Sequence, residues 1–235
     1  MEMPILPLKV KEKFRKNFYE IQAWAVNELV CGIDEVGRGC LAGPLVTAAV
    51  ILPAHKTHPL LKDSKLLSVQ DREKAYKWII KNCWQSVGIV HHRLVDEHNI
   101  WHATLLAMKR ALVNLLAHAP HPRAILVDAM PLNLFDTSFC HIPVYHFIEG
   151  ERKSSSIAAA SIVAKVRRDA LMKRFDILFP GYQLGQHKGY STPGHKLILR
   201  ERKQESLIHR QTFLKNLEKG EVLNDPTAGE QQSLC

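Results

Sequence analysis

Apolar runs alternate with stretches of helical spacing along the chain, and several of the runs end on acids. Residues 29–33 and 45–52 are two such runs, separated by a glycine-containing turn at 37–44, and they predict neighbouring strands joined by a loop. The second run stops at Pro53. Ser68 suits the N-cap of a helix over 69–83, and residues 85–91 predict a third strand. Asn99 opens a stronger pattern in which Leu105, Leu106, Met108, Leu112, Leu115 and Leu116 recur at helical spacing, until Pro120 and Pro122 end it. Residues 124–127 form a short run ending in Asp128, and residues 142–147 another ending near Glu149 and Glu151. Residues 156–175 predict a helix whose first half, from Ile157 to Ser161, is built almost entirely of small residues. Such a face lets a helix backbone lie close against a sheet or against acids. A loop over 185–194 leads to a basic helix over 195–203, and beyond Leu217 the chain turns polar and loses periodicity. Residues 1–217 therefore predict one mixed α/β domain, and residues 218–235 a disordered tail.

Composition narrows the function. A chain of 235 residues, 46% hydrophobic, can bury a full core, and 32 Lys and Arg against 23 Asp and Glu leave a formal charge of +9 that favours polyanionic partners. Apolar runs are too short to span a membrane and residues 1–16 do not read as a signal peptide, so no membrane association is expected and the cytoplasm is the expected compartment. The five cysteines, Cys31, Cys40, Cys83, Cys140 and Cys235, are widely spaced with no C-x-x-C pair, which argues against a disulfide framework or a zinc cluster. The 13 histidines show no H-E-x-x-H spacing, and no G-x-x-x-x-G-K-[ST] string supports a P-loop nucleotide hydrolase.

The densest chemistry lies at one strand end, Asp34-Glu35-Val36-Gly37-Arg38-Gly39. Carboxylates there can hold a hard divalent cation, the glycines let backbone amides approach a phosphate, and Arg38 offers a rigid donor fork. A polar turn with a capping aspartate accounts equally well for the Asp-Glu pair alone. Asp128 and Glu151 add acids at other strand ends, with Asp136 a weaker candidate in the loop between. Two divalent ions about 4 Å apart need several carboxylates and stabilise both the attacking and the leaving oxygen of phosphoryl transfer. Successive strand side chains face opposite ways, so Asp34 and Glu35 cannot both reach one ion from a regular strand. Either the strand bulges there, or Glu35 contributes its main-chain carbonyl or reaches a different ion.

Several longer motifs carry a resemblance to ribonuclease HII, the type 2 ribonuclease H family. They are Gly32-Ile33-Asp34-Glu35-Val36-Gly37-Arg38-Gly39 with Leu41-Ala42-Gly43-Pro44, Asp63-Ser64-Lys65-Leu66, Asn99-Ile100, Ala103-Thr104-Leu105-Leu106-Ala107-Met108, and Val127-Asp128. Lys153-Ser154-Ser155-Ser156-Ile157 running on to Lys165, His187-Lys188-Gly189-Tyr190, and the closing Ile208-His209-Arg210 with Phe213 complete the series, in order from about Tyr19 to Phe213. The resemblance implies an RNase H-like fold, a mixed central β-sheet flanked by helices, with a short N-terminal helix and a helical C-terminal extension. It also implies a monomeric endonuclease that cuts the RNA strand of RNA-DNA hybrids and incises at single ribonucleotides in duplex DNA. Two Mg²⁺ or Mn²⁺ ions would serve the reaction, held by Asp34, Glu35, Asp128 and a fourth acid. The family usually has aspartate after a glycine at that fourth position; here the pair is Gly150-Glu151, and Glu151 keeps the carboxylate on a longer stem. Cys40 stands where the family commonly has proline, a change expected to affect loop stiffness.

By the same resemblance Gly37, Arg38 and Gly39 lie beside the 2′-hydroxyl and scissile phosphate, and Tyr190 packs on the sugar next to the ribonucleotide. Lys65, Lys188, Ser154 and His187 are candidate phosphate contacts. The sister family ribonuclease HIII usually carries an extra N-terminal substrate-binding domain, for which the 28 residues before the first run leave too little length. A non-catalytic basic nucleic-acid-binding module is the remaining alternative, and it leaves the acids at strand ends unexplained.

Overall fold

A computed structural model describes residues 15–202 and 206–218; of the expected tail, residues 218–235, only Glu218 is described, as the last residue of a helix, and the rest lies outside the described residues. Five strands form one sheet in the order β3-β2-β1-β4-β5. They are β1 (Val30–Val36), β2 (Leu45–Ile51), β3 (Trp84–Val90), β4 (Ala124–Asp128) and β5 (Val144–Phe147). β1 pairs antiparallel with β2 and parallel with β4, so the sheet is mixed, as the sequence implied. The register of β1 on β2 is regular from Cys31↔Ile51 to Val36↔Val46, with Asp34 opposite Ala48 and Glu35 opposite Thr47. No bulge relieves the alternation, so Asp34 and Glu35 face opposite sides of the sheet.

Each face is covered by one long helix. Cys31, Ile33, Ala49 and Ile51 pack with Met108, Ala111, Leu112 and Leu115 of α3 (His92–Leu116). On the other face Val46, Ala48 and Val50 pack with α2 (Val69–Asn82) and with Ala158 to Ala164 of α5 (Ser155–Leu178). Ile33, Leu112 and Leu115 are fully buried, each contributing about 1.5–3 kcal/mol of transfer free energy. The small-residue half of α5 does what its composition implied. A Cβ added to Gly32 would lie 2.1 Å from the main-chain carbon of Ser156, so helix and strand touch backbone to backbone.

The expected cap of α2 is present, Ser68 Oγ accepting from the Asp71 amide at 3.1 Å. The helix expected to open at Asn99 starts earlier, at His92, and is kinked at Asn99, whose φ of 65° breaks it and whose side chain accepts from the His102 amide. Short helix α6 (Leu184–His187) overlaps the start of the segment expected as a loop, and Glu151, expected at a strand end, instead sits on short helix α4 (Gly150–Lys153). α1 (Phe18–Trp24) precedes the sheet, and α7 (Pro193–Arg202) and α8 (Gln211–Glu218) form the helical C-terminal extension. Cys31, Cys40, Cys83 and Cys140 are free thiols, and no helix among the described residues is long and apolar enough to cross a membrane.

Candidate active site

Parallel pairing of β1 with β4 runs to Ile33↔Val127, which carries the next residues, Asp34 and Asp128, to neighbouring strand ends on the α5 face. A cavity of about 390 Å³ opens there, lined by Asp34, Glu35, Asp128 and Glu151, with Lys65, Lys165, Ser64, Ser161, Val36 and Tyr190 around them. Glu151 reaches the site from α4, which is tied to β4 by the Gly150 amide donating to Asp128 Oδ1 at 2.7 Å. Asp136, the weaker candidate, is exposed and held by Lys109 Nζ at 2.6 and 2.8 Å, and it does not line the cavity.

The acids strain against one another. Burial, and then the charges of Glu35 and Asp128, push the Asp34 carboxyl well above its ordinary range, while the Ser161 hydroxyl and the Glu35 amide pull the other way. Burial raises Asp128 to about 6, with the Gly150 amide opposing and Glu151 adding to the rise. Glu151 Oε2 is buried with no hydrogen-bond partner. Hard oxygen donors, excess negative charge and an orphaned buried carboxylate oxygen fit a hard divalent cation such as Mg²⁺ or Mn²⁺. The donors are not drawn tight: among the described residues no three His, Cys, Asp or Glu side chains are grouped closely enough to hold one ion. Glu35 pairs with Arg38 Nη1 at 3.5 Å.

The other expected substrate residues divide. Lys65 lines the cavity from a 3-10 turn over Ser64–Leu66 capped by Asp63, whose Oδ1 accepts from the Lys65 amide. Tyr190 lines it too, with Lys165 Nζ 5.5 Å and Arg168 Cζ 5.6 Å from its ring centre, and burial pushes its phenol up to about 12. Gly37 (φ 96°) lies beside the cavity, but its missing side chain makes room for Arg168, whose Nε would be 2.3 Å from an added Cβ. An added Cβ at Gly39 meets nothing within 4 Å, so that backbone is open to a ligand. Arg38 is nearly buried beside Glu35.

Ser154, His187 and Lys188 are not brought into the cavity. Ser154 caps α5 by accepting from the Ile157 amide and donates to Glu20 Oε1 at 2.5 Å. His187 bonds the Tyr182 carbonyl, and Lys188 Nζ donates to the Gly185 carbonyl.

Two residues that sequence reasoning left without a role belong to the site. Ser161 faces Asp34 and bonds Ser64 Oγ at 2.9 Å, and Lys165 lies one helical turn further along the same face of α5. That spacing of a hydroxyl and a cation within a small-residue helix was the available signal.

Two buried arginines fix the loop after β1. Arg168 donates to the carbonyls of Pro44, Ala42 and Lys188 at 2.8–3.1 Å. Arg210 donates to those of Arg38 and Gly37 at 2.7 Å and to Gly43 at 3.1 and 3.3 Å.

Known structures share this fold. The ribonuclease H2 of Pyrococcus horikoshii superposes with a TM-score of 0.63 at 25% identity, covering 82% of this chain and 98% of that one. The ribonuclease HII of Archaeoglobus fulgidus, solved in a complex with PCNA, gives 0.60 at 26% identity over 83% and 91%. The fold is therefore that of the ribonucleases H. The family described as Ribonuclease HII matches residues 31–216. Curated ribonucleases HII from Levilactobacillus brevis and Ligilactobacillus salivarius are 47% and 48% identical over 83% and 79% of this chain, spanning 72% and 69% of their own lengths. The chain belongs to the ribonuclease HII family and is a ribonuclease H.

Proposed function

We propose that this ribonuclease H cuts the RNA strand of RNA-DNA hybrids, and incises on the 5′ side of single ribonucleotides in duplex DNA, using two divalent ions. The observation that carries the reading is the pair Asp34 and Asp128 on adjacent strand ends, with the partnerless Glu151 Oε2 facing the same cavity. Asp34, Asp128 and Glu151 would hold Mg²⁺ or Mn²⁺, and Glu35, on the opposite strand face, would reach a different ion or offer its carbonyl. Such ions would supply an activated water and charge stabilisation for the leaving 3′-oxygen, so that hydrolysis would leave a 5′-phosphate and a 3′-hydroxyl.

The chain's own residues supply position. Lys65 and Lys165 at the rim attract and orient the scissile strand through its phosphates. The open backbone at Gly39 admits the ribose edge with its 2′-hydroxyl, and Arg38 holds Glu35 in place from the other side. The Tyr190 ring, backed by Lys165 and Arg168, packs on the sugar beyond the ribonucleotide, where a second 2′-hydroxyl would be crowded. Lys188, Ser154 and His187 support these segments from outside the cavity. Residues 1–217 act as one catalytic unit and as a monomer.

The test is a duplex carrying one ribonucleotide, offered to the purified protein with and without Mg²⁺ or Mn²⁺, with the cut mapped. A metal-dependent cut on the 5′ side of the ribonucleotide is expected. Cleavage of long hybrids with no cut at the single ribonucleotide would overturn the finer reading.

A further inference from the structure

Beneath the Tyr190 loop lies a row of three histidines. His187 and His195 stack with ring centres 3.9 Å apart, and His195 Nε2 meets His209 Nε2 at 2.9 Å. His195 and His209 are fully buried. Their protonation pattern can be read from the backbone groups at the ends of the row. The Ser206 amide donates to His209 Nδ1 at 2.9 Å and the Ser206 hydroxyl lies 2.8 Å from it, closer than the Ser206 carbonyl at 3.3 Å, so that nitrogen is bare and the proton sits on Nε2. His209 Nε2–H then donates to a bare His195 Nε2, and His195 Nδ1–H donates to the Tyr190 carbonyl at 2.9 Å. His187 is fixed independently, accepting from the Gly189 amide on Nδ1 and donating to the Tyr182 carbonyl from Nε2. Every ring is neutral in this scheme, and burial accordingly holds His195 down at about 4.

The row ends on the backbone of the residue whose ring faces the cavity. The Tyr190 carbonyl takes both the His195 proton and the Thr192 amide, and Tyr190 also bridges to Cys40 in the loop after β1. His209 in turn bridges to Ala42, and the flanking Gly43 amide donates to Ile208 and the Arg210 amide to Leu41. A one-way chain of donors therefore runs from the C-terminal extension to Tyr190.

We propose that His209 and His195 are positioning residues for Tyr190, setting the orientation of its ring and with it the enzyme's discrimination of a single ribonucleotide step. The inference rests on the reading of Tyr190 as the ring that packs at that step. Loss of the His209 donor leaves the bare His195 Nε2 buried without a partner, so the ring is no longer held from behind and its Nδ1–H bond to the Tyr190 carbonyl loosens. A long hybrid, which presents ribose at every step, depends less on the ring.

Nitrogen-15 NMR of the histidine rings in wild-type protein tests the chain directly, with His195 expected as the Nδ1–H tautomer and His187 and His209 as Nε2–H. A wild-type His195 protonated on Nε2 would overturn the proposal whatever the activity. Single-turnover cleavage of the two substrates then separates positioning from general damage. His209→Phe is expected to lower incision at a single ribonucleotide about tenfold while cleavage of a long hybrid stays within about twofold, the size of effect one buried hydrogen bond carries. His209→Gln, which keeps a donor at the Nε2 position, is expected to restore both. Equal loss on both substrates, or no rescue by glutamine, would overturn the proposal. If His209→Phe does not fold, His195→Asn against His195→Leu makes the same comparison, with the asparagine amide replacing Nδ1–H. A wild-type protein that never incises at single ribonucleotides would overturn the reading of Tyr190, while the tautomers would still decide whether the chain exists.

Discussion

Replacing Arg210 by methionine removes the donors that hold the loop after β1. Its guanidinium makes four hydrogen bonds to three carbonyls, those of Gly37, Arg38 and Gly43, all on buried residues. Leaving a buried carbonyl unsatisfied costs about 1–3 kcal/mol, so three could cost about 3–9 kcal/mol. Relief from burying a charged group offsets part of that, because burial already pulls this guanidinium down to about 10. A net loss of about 3–5 kcal/mol is expected, or a fall in Tm of about 6–20 °C for a chain of this size. Denaturant titration and thermal unfolding of metal-free protein measure it, with Ser68→Ala, the loss of one helix cap, as a benchmark near 1 kcal/mol. Arg210→Lys is expected to recover less than half, since one ammonium cannot span three carbonyls. A loss for Arg210→Met no larger than the Ser68→Ala benchmark would refute the reasoning.

Other expectations follow from the cavity. Asp34→Asn or Asp128→Asn should abolish cleavage while hybrid binding, measured in a gel-shift or anisotropy assay, largely survives; near wild-type cleavage by either would remove that residue from the metal site. Glu151→Gln should impair cleavage, Glu151→Asp should be tolerated, and Asp136→Asn should leave activity unchanged; the reverse pattern would show the fourth ligand misplaced. Because the folded state raises Asp34 and Asp128 above their unfolded values, their contribution to stability is greatest below the unfolded pKa, near pH 4, and declines as pH rises through about 6. A divalent ion offsets that penalty, so Mg²⁺ or Mn²⁺ should raise Tm more at pH 8 than at pH 5, and an equal rise at both would contradict the assignment.

Much of this architecture could be read from the chain because its signals are local. The apolar runs that end on Asp34 and Asp128 placed two acids at strand ends, and the period-2 rule already separated Asp34 from Glu35; the regular β1–β2 register confirms the separation. The small half of α5 announced a close helix-strand approach, realised at Gly32. Helix α3 began unseen because its cap is a histidine, His91, whose ring accepts from the Leu94 amide, and its first turns hold few apolar residues. The supports of the site were hidden for a different reason. Arg168 and Arg210 bond carbonyls more than 120 residues away in the chain, apart from Lys188, and such partners leave no trace in spacing. Gly37 shows the same limit: its missing side chain was legible as room for a close approach, but the Arg168 guanidinium that fills that room was not.

The Arg210 contact also orders events in time. Gly37 and Arg210 are 173 residues apart, so at about 5–20 residues per second the ribosome makes the acids of β1 roughly 9–35 s before the arginine that fixes the loop beside them. Until then a nascent chain carries its carboxylates next to an unclamped loop. The clamp on the loop beside Asp34 and Glu35 can therefore close only after residue 210 has been made, well after β1, β2 and β4 exist to form the sheet.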